Sequence, residues 1–287
     1  MNKKEKLVFI TCYIGKLPWY FDYFVHSCSY NPTVDFYIIT DDKSHEKPVP
    51  HNVKLIGKTL EDISLLATRK LGFAINVKSG YKLCDFKPAY GIIFSELLKG
   101  YDFWGHCDID IIFGNIREFI TNELLEDYDL ISVRPDWLTG CFLLYKNEAR
   151  INKLFTHSKD YQKVFESDKH YCFDETNFAH DAFSDGLSYL DIDTEIESMM
   201  HVVKKMEALN YVKPYFDLHI IEGLPGKLKW ENGKMFYRGK YEILLYHMIH
   251  LKNRYQPKKA VSAIPNHFFI SPAKIYYKTT ERIINGL

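Results

Sequence analysis

Residues 103–114 read FWGHCDIDIIFG, so two carboxylates, Asp108 and Asp110, stand inside one of the most apolar stretches of the chain. In an extended D-x-D the two acidic side chains project to one face and Ile109 to the other. Carboxylates that close repel each other unless a proton or a cation sits between them. Leaving them desolvated and unpaired among such flanks would be costly. Hard oxygen ligands select Mg2+ or Mn2+, which bind through one or two carboxylates together with substrate phosphates. A third ligand must come from elsewhere. EILLYHMIHLK (242–252) offers His247 and His250, which face different ways if this segment is a strand.

Three further stretches carry chemical potential. FDE (173–175) sets Asp174 and Glu175 ahead of an apolar helical segment. Acids there either cap a helix N-terminus or serve as the base on an acceptor hydroxyl. DIDTE (191–195) repeats the D-x-D and imitates the nucleophile motif of haloacid-dehalogenase-type phosphatases. That motif normally ends the first strand of its fold, whereas this copy stands late in the chain. Thr194 with Glu197 reads instead as a capping box for the next helix. WLTG (137–140) leads into a strand, and Gly140 marks either a turn or a close approach of a sugar to the backbone.

Ligands of open α/β sheets bind beyond the carboxyl ends of the strands, and the first half of the chain has the alternation that builds such a sheet. LVFITCY (7–13), VDFYIITDD (34–42), VKLIGK (53–58) and FWGHC (103–107) have strand length and composition. Helical spacing occupies LPWYFDYFVHSCSY (17–30) and TLEDISLLATRKLG (59–72), the latter with Thr59 as N-cap and Gly72 as stop. KPAYGIIFSELLKG (87–100) predicts another helix, with Pro88 in its first turn and Gly100 at its end. Past residue 130 the pattern is mixed. DLISVR (129–134) and GCFLLYK (140–146) read as strands, and EARINKLFTHS (148–158) as helix. Asn232-Gly233 in KLKWENGKMFYRG (227–239) signals a hairpin. YEILLYHMIHLK (241–252) is a last apolar strand or helix.

Composition excludes several function classes. With 46% hydrophobic and 16% aromatic residues the chain of 287 can bury a sizeable core. Lys+Arg and Asp+Glu are both 37, without the basic excess of a dedicated nucleic-acid binder. The six cysteines contain no CxxC pair, which favours buried thiols over zinc ribbons or a redox motif. The basic start MNKKEK precedes a short apolar run without a small-residue cleavage site, so it reads as the lead-in to a buried strand. No apolar run approaches the ~20 residues of a membrane span, which predicts a soluble or peripheral protein.

The stretch CDFKPAYGIIFSELLKGYDFWGHCDIDIIFGNIREFI (84–120) resembles the core of a family of bacterial glycosyltransferases with the GT-A fold. Members pair an F-K-P-x-Y-G helix start with a Y-D-F-W-G-x-x-D-x-D-x-x-x-G strand end. The resemblance extends to FITCYIGKLPWYFDYF, ITDD, WLTGCFLLYKN, FDE and E-x-L-L-Y near the end, so it spans most of residues 7 to 254. It implies that Asp108 and Asp110 hold Mn2+ or Mg2+ against the diphosphate of a nucleotide-sugar donor. His250, in HLKNR, would close the metal site, with His247 as the alternative. Thr11, Cys12 and Tyr13, ending the first strand, would meet the nucleoside, and Asp41 or Asp42 the base or ribose. Asp85 and Lys87 precede the helix before the metal motif, where the lysine would meet a phosphate or the donor sugar. Asp174 or Glu175 would be the acceptor-side base or would orient the donor sugar. The segment 187–214 departs from the family pattern and reads as a local insertion.

The sequence thus predicts a GT-A-like α/β catalytic domain over 1–254 with a C-terminal hairpin, and a basic, aromatic appendage over 255–287. From Lys252 onward seven basic residues (252, 254, 258, 259, 274, 278 and 282) face one acid, Glu281, a pattern suited to an anionic membrane surface. The predicted activity is metal-dependent transfer of a sugar to a bacterial surface glycan or lipid-linked glycan, in the cytoplasm or at the inner face of the membrane. The rivals are a metal-dependent phosphohydrolase and a sugar-binding pseudoenzyme.

Overall fold

LVFITCY and VDFYIIT are runs of β-branched and aromatic residues, too short for helices and apolar on both faces, as strands inside a parallel sheet must be. They pair in parallel from Leu7 opposite Val34 to Tyr13 opposite Thr40. The computed structural model describes residues 5–257 and 263–277. Its strands, in chain order, are β1 Leu7–Tyr13, β2 Val34–Thr40, β3 Val53–Gly57, β4 Phe103–Cys107 and β5 Ile111–Phe113. There follow β6 Leu130–Ser132, β7 Phe142–Lys146, β8 Pro214–Phe216, β9 Ile220–Glu222 and β10 Leu228–Glu231. The last are β11 Lys234–Tyr237, β12 Tyr241–Ile243, β13 Leu245–His247, β14 His267–Ile270 and β15 Ile275–Tyr276.

The chain divides into two compact units. The first comprises Met1–Leu17, Thr33–Asp108 and Thr121–Leu218, and the second Pro18–Pro32, Ile109–Ile120 and His219–Leu287. The division therefore cuts the D-x-D: Asp108 ends one segment and Ile109 begins the next.

The first unit is mixed α/β. Its seven-stranded sheet has the order β3-β2-β1-β4-β7-β6-β8. Pairings are parallel except where β7 runs against β4 and β6. One face packs Val8, Ile10, Ile39, Trp104, Leu143 and Tyr145 against the flanking helices, with Trp104 stacked on Tyr145 at 4.5 Å. The helix Leu60–Leu71 is the expected one. Thr59 and Asp62 exchange the reciprocal bonds of a capping box, and Gly72 closes it at φ 83°.

The helix expected over 87–100 is instead a 3-10 helix, Gly80–Ala89, followed by a single α turn, Tyr90–Ile93. Leu83, Phe86 and Ala89, all buried, recur every third residue, the period at which 3-10 side chains eclipse. Gly91 lies so close to the sheet that a Cβ would sit 2.7 Å from the Trp104 ring. The helical reading of 148–158 likewise breaks, into Ala149–Asn152 and a 3-10 turn Leu154–His157. The segment 187–214 is not peripheral: its helix Met199–Ala208 buries Met199, Met200, Val202 and Val203 in the unit's core. That helix starts after Ser198, and Thr194 donates to the Ile196 carbonyl at 2.9 Å, so the expected Thr194–Glu197 capping box does not form.

The second unit holds a five-stranded antiparallel sheet, β12-β11-β10-β14-β15, and a three-stranded one, β5-β13-β9. Asn232 (φ 48°) and Gly233 (φ 83°) make the expected hairpin turn between β10 and β11. Trp230 stacks on Phe268 at 5.0 Å and donates its indole N–H to the Phe113 carbonyl. Residues 267–270 and 275–276 are thus strands of this sheet, β14 lying against β10. Of the basic residues past 252, Lys258, Lys259, Lys278 and Arg282 lie outside the described residues, as does Glu281. No helix among the described residues is long and apolar enough to cross a membrane.

Gly105, mid-β4, permits the tightest approach in the first sheet: a Cβ there would lie 2.5 Å from the Leu143 carbonyl and 2.7 Å from the Phe9 ring. Gly105→Ala should therefore destabilise by roughly 1–3 kcal/mol, the cost of overpacking a filled core. Thr59→Ala should cost about 1 kcal/mol through its cap. Urea unfolding midpoints check both, and an unshifted midpoint for Gly105→Ala would contradict the packing described.

Candidate functional site

Thr11 and Asp108 are brought to one place by β1 and β4, which run parallel with Ile10 opposite His106. Thr11 Oγ1 donates to the Cys107 carbonyl at 2.5 Å, immediately before the acidic motif. Burial pushes the neighbouring Cys12 thiol up to about 12, so it stays neutral. Tyr13 completes the strand end.

The centre of the first unit's site is Lys87. Its side chain is 8% exposed, and its ammonium donates to Asp108 Oδ1 at 2.8 Å and to the Gly140 carbonyl at 2.8 Å. Asp174 Oδ2 stands 3.6 Å away. Burial alone would lower the lysine, but Asp108 and the neighbouring negative groups hold it well above its ordinary value. His106 donates Nδ1–H to the same Gly140 carbonyl at 3.1 Å and is kept neutral by burial and by Lys87.

Asp174 and Glu175 do not cap a helix. At Gly140 a Cβ would lie 2.6 Å from Asp174 Oδ2 and 3.0 Å from Glu175 Oε1, so carboxylates fill the space that the sequence reading left for a sugar. Glu175 accepts the Gly140 N–H through Oε1, and His180 Nε2 lies 3.0 Å from Oε2. Burial would raise Glu175, yet the bonds from His180 and Gly140 bring it down to about 2. Asp174 goes the other way. Burial raises it well above the carboxylate range, Lys87 opposes this, and the neighbouring Glu175, Asp85 and Asp108 add to it.

Asp85 is not placed to meet a ligand. Fully buried, it pairs with Lys82 at 2.9 Å and accepts the backbone N–H groups of Tyr171 and Phe173, anchoring the segment that leads into FDE. Asp41 accepts the Gly15 N–H at 2.7 Å and Asp42 the Leu17 N–H at 2.8 Å, so both shape the loop after β1. Bonds from Ser44 and Leu17 bring Asp42 down to about 2. Asp191 and Asp193 are exposed and outside any strand, unlike a phosphatase nucleophile.

In the second unit Asp110 is buried and accepts Lys252 Nζ at 2.7 Å, with His247 Nε2 at 3.4 Å. His247 Nδ1 in turn meets Glu222 at 2.9 Å. Burial would raise Asp110, but His247 and Lys252 reverse this and hold it well below the usual range. The histidine beside the motif is thus His247, not His250. Strand β13 pairs with β5, His247 opposite Ile111, and Met248 N–H reaches the Asp110 carbonyl at 2.8 Å. His250 lies beyond the strand, exposed, at the start of the short helix Leu251–Arg254.

Residues 9–279 match the model of a family described as of unknown function, DUF6625. The chain belongs to that family. No curated protein matches it. The matched range spans both units and covers the acidic motif, FDE and the β13 histidine.

Sequence reasoning missed the internal cations. Lys252 sits in the HLKNR already singled out for its histidine, and a buried acid one residue before Ile111, the strand partner of His247, gives no local sign of its lysine. Cys172 and His180, flanking FDE, also escaped notice, although Cys-x-x-Glu spacing was visible.

The raised Asp174 carboxyl has a measurable consequence. An acid whose pKa is higher in the folded protein opposes folding once pH passes its ordinary 3.8, and fully so above the raised value. Asp174→Asn should therefore gain stability relative to wild type as pH is raised from about 4 towards 8. Urea unfolding across that range checks this; a difference constant with pH would contradict the assigned direction.

Proposed function

We propose that this protein is a GT-A-like, metal-dependent glycosyltransferase that takes a sugar from a nucleoside-diphosphate donor. The observation that carries the reading is that the acidic motif leaves β4 beside the end of its parallel neighbour β1. Connections from β1 lead to β2 on one side while β4 flanks the other, the switch point at which open α/β sheets bind nucleotides. Thr11, Cys12 and Tyr13 are then the nucleoside side of the site. Asp41 and Asp42 contribute by fixing the loop 14–17.

Within the second unit the carboxylate of Asp110 and the imidazole of His247 are donors that suit Mn2+ or Mg2+. When bound, such an ion would stabilise negative charge developing on the departing nucleoside diphosphate. Lys252, with a side chain 31% exposed, can leave Asp110 as a ligand arrives. Lys87, buried and bonded also to the Gly140 carbonyl, stays in place and orients Asp108. Asp174, 3.6 Å from Lys87, is the acid assigned as base on an acceptor hydroxyl. Glu175, with both oxygens engaged, positions the Gly140 backbone. The acceptor in this reading is a bacterial surface or lipid-linked glycan, handled in the cytoplasm or at the inner membrane face.

A second reading has an observation in its favour. Lys87 and Lys252 already compensate Asp108 and Asp110, as a sugar-binding protein without turnover would require. The phosphohydrolase reading loses support from the exposed, off-strand position of Asp191.

Release of nucleoside diphosphate from a panel of nucleotide-sugars, with Mn2+ or chelator, separates these. The transferase releases it slowly alone and faster with acceptor, only when metal is present. Asp110→Asn should abolish that release without unfolding the protein. His247→Ala should weaken Mn2+ affinity by a factor on the order of 10–100, and His250→Ala should leave it unchanged. Metal-independent binding without product would favour the sugar-binding module. Normal turnover in Asp110→Asn would sink the metal assignment.

A further inference from the structure

We propose that Cys172, Glu175 and His180, all within the first unit, form a second cation site, one for a thiophilic divalent ion such as Zn2+. One ligand atom from each converges on the others. Cys172 Sγ lies 3.3 Å from Glu175 Oε2 and 3.9 Å from His180 Nε2, and that nitrogen lies 3.0 Å from the same oxygen. A tetrahedral zinc with bonds of ~2.0–2.3 Å needs ligand–ligand edges of about 3.3–3.6 Å. The observed edges bracket these, so an ion fits with shifts of a few tenths of an ångström.

The three groups are aimed by their surroundings. Glu175 Oε1 is occupied by the Gly140 N–H, which turns Oε2 towards the sulfur and the imidazole. His180 packs edge-on against Trp137 at 5.3 Å. The chain from 172 to 180 is folded tightly, with Cys172, Asn177 and Phe178 all at positive φ (52°, 55° and 65°), a region that non-glycine residues rarely occupy. Asn177 secures that fold, donating to the Tyr171 carbonyl at 2.7 Å and accepting the Glu195 N–H at 2.9 Å.

Without an ion, the thiol and the imidazole both donate to one carboxylate oxygen. On binding, the thiol proton leaves to solvent and Sγ becomes a thiolate ligand. The neutral imidazole ligates through Nε2 and carries its proton on Nδ1. Soft sulfur discriminates against Mn2+ and Mg2+, which distinguishes this site from the oxygen-rich acidic motif. Three protein ligands leave a fourth position for water or a substrate oxygen. Solvent reaches the cluster, since the Glu175 and His180 side chains are 23% and 32% exposed. The inference goes beyond the glycosyltransferase reading and stands without it.

The test is titration of the chelator-treated full-length protein with Co2+ alone, followed by Zn2+. The expected result is a thiolate-to-cobalt charge-transfer band with the visible bands of a tetrahedral ion, bleached by one equivalent of Zn2+. Cys172→Ser should remove the charge-transfer band. Glu175→Gln and His180→Gln should each weaken Co2+ binding at least tenfold, and Asp110→Asn should leave the spectrum as in wild type. Absence of the band in wild type would overturn the proposal. So would its persistence in folded Cys172→Ser, which would assign it to another thiol. If that variant does not fold, unchanged affinity in the Glu175 and His180 variants overturns the proposal equally.

Discussion

The buried ammonium of Lys87 is the constraint on which the first unit's site depends. Taking such a charge out of water costs several kcal/mol, offset only when the charge is paired and its donors satisfied. Asp108 and the Gly140 carbonyl do this, with Asp174 close by. They come from the end of β4, the approach to β7 and the FDE segment, which are far apart in sequence. One ammonium therefore fixes three loops that apolar packing alone would leave free to rearrange. Residue 140 has to be glycine for the same reason, because the carboxylates gathered there occupy its side-chain space.

Charge also sets the opposite fates of the two FDE acids. Glu175 has one N–H and an imidazole to satisfy it and is held low, whereas Asp174 has burial and three acidic neighbours against a single lysine. Adjacent carboxyls are driven apart in this way by their surroundings alone. In the second unit, Asp110 is held by Lys252 and by a histidine that is itself braced by Glu222. A carboxylate behind an imidazole orients the ring and raises its basicity, as in the outer shell of metal ligands.

Local rules made much of the fold legible. Thr59 with Asp62, Gly72, and Asn232-Gly233 each encode their geometry within a few residues, and the apolar runs of β1, β2 and β4 announce themselves by length. The 87–100 segment suits an α-helix by its own apolar residues, whereas the three-residue spacing of Leu83, Phe86 and Ala89 that sets the 3-10 helix begins upstream of it. The D-x-D was visible as a place needing positive charge. That the chain supplies lysines to it was not, because Lys87 and Lys252 reach their acids only through tertiary structure. The choice of His247 over His250 depended on strand register, which no spacing rule fixes in advance.

The central claim is that the end of β1 and the acidic motif after β4 serve a nucleoside diphosphate and a divalent cation together. Isothermal titration of the wild-type protein with a panel of nucleoside diphosphates, in Mn2+ and again in chelator, tests it most directly. The account predicts saturable binding of at least one nucleotide in Mn2+ and its loss in chelator. Equal binding in both conditions, or none to any nucleotide in Mn2+, would contradict it.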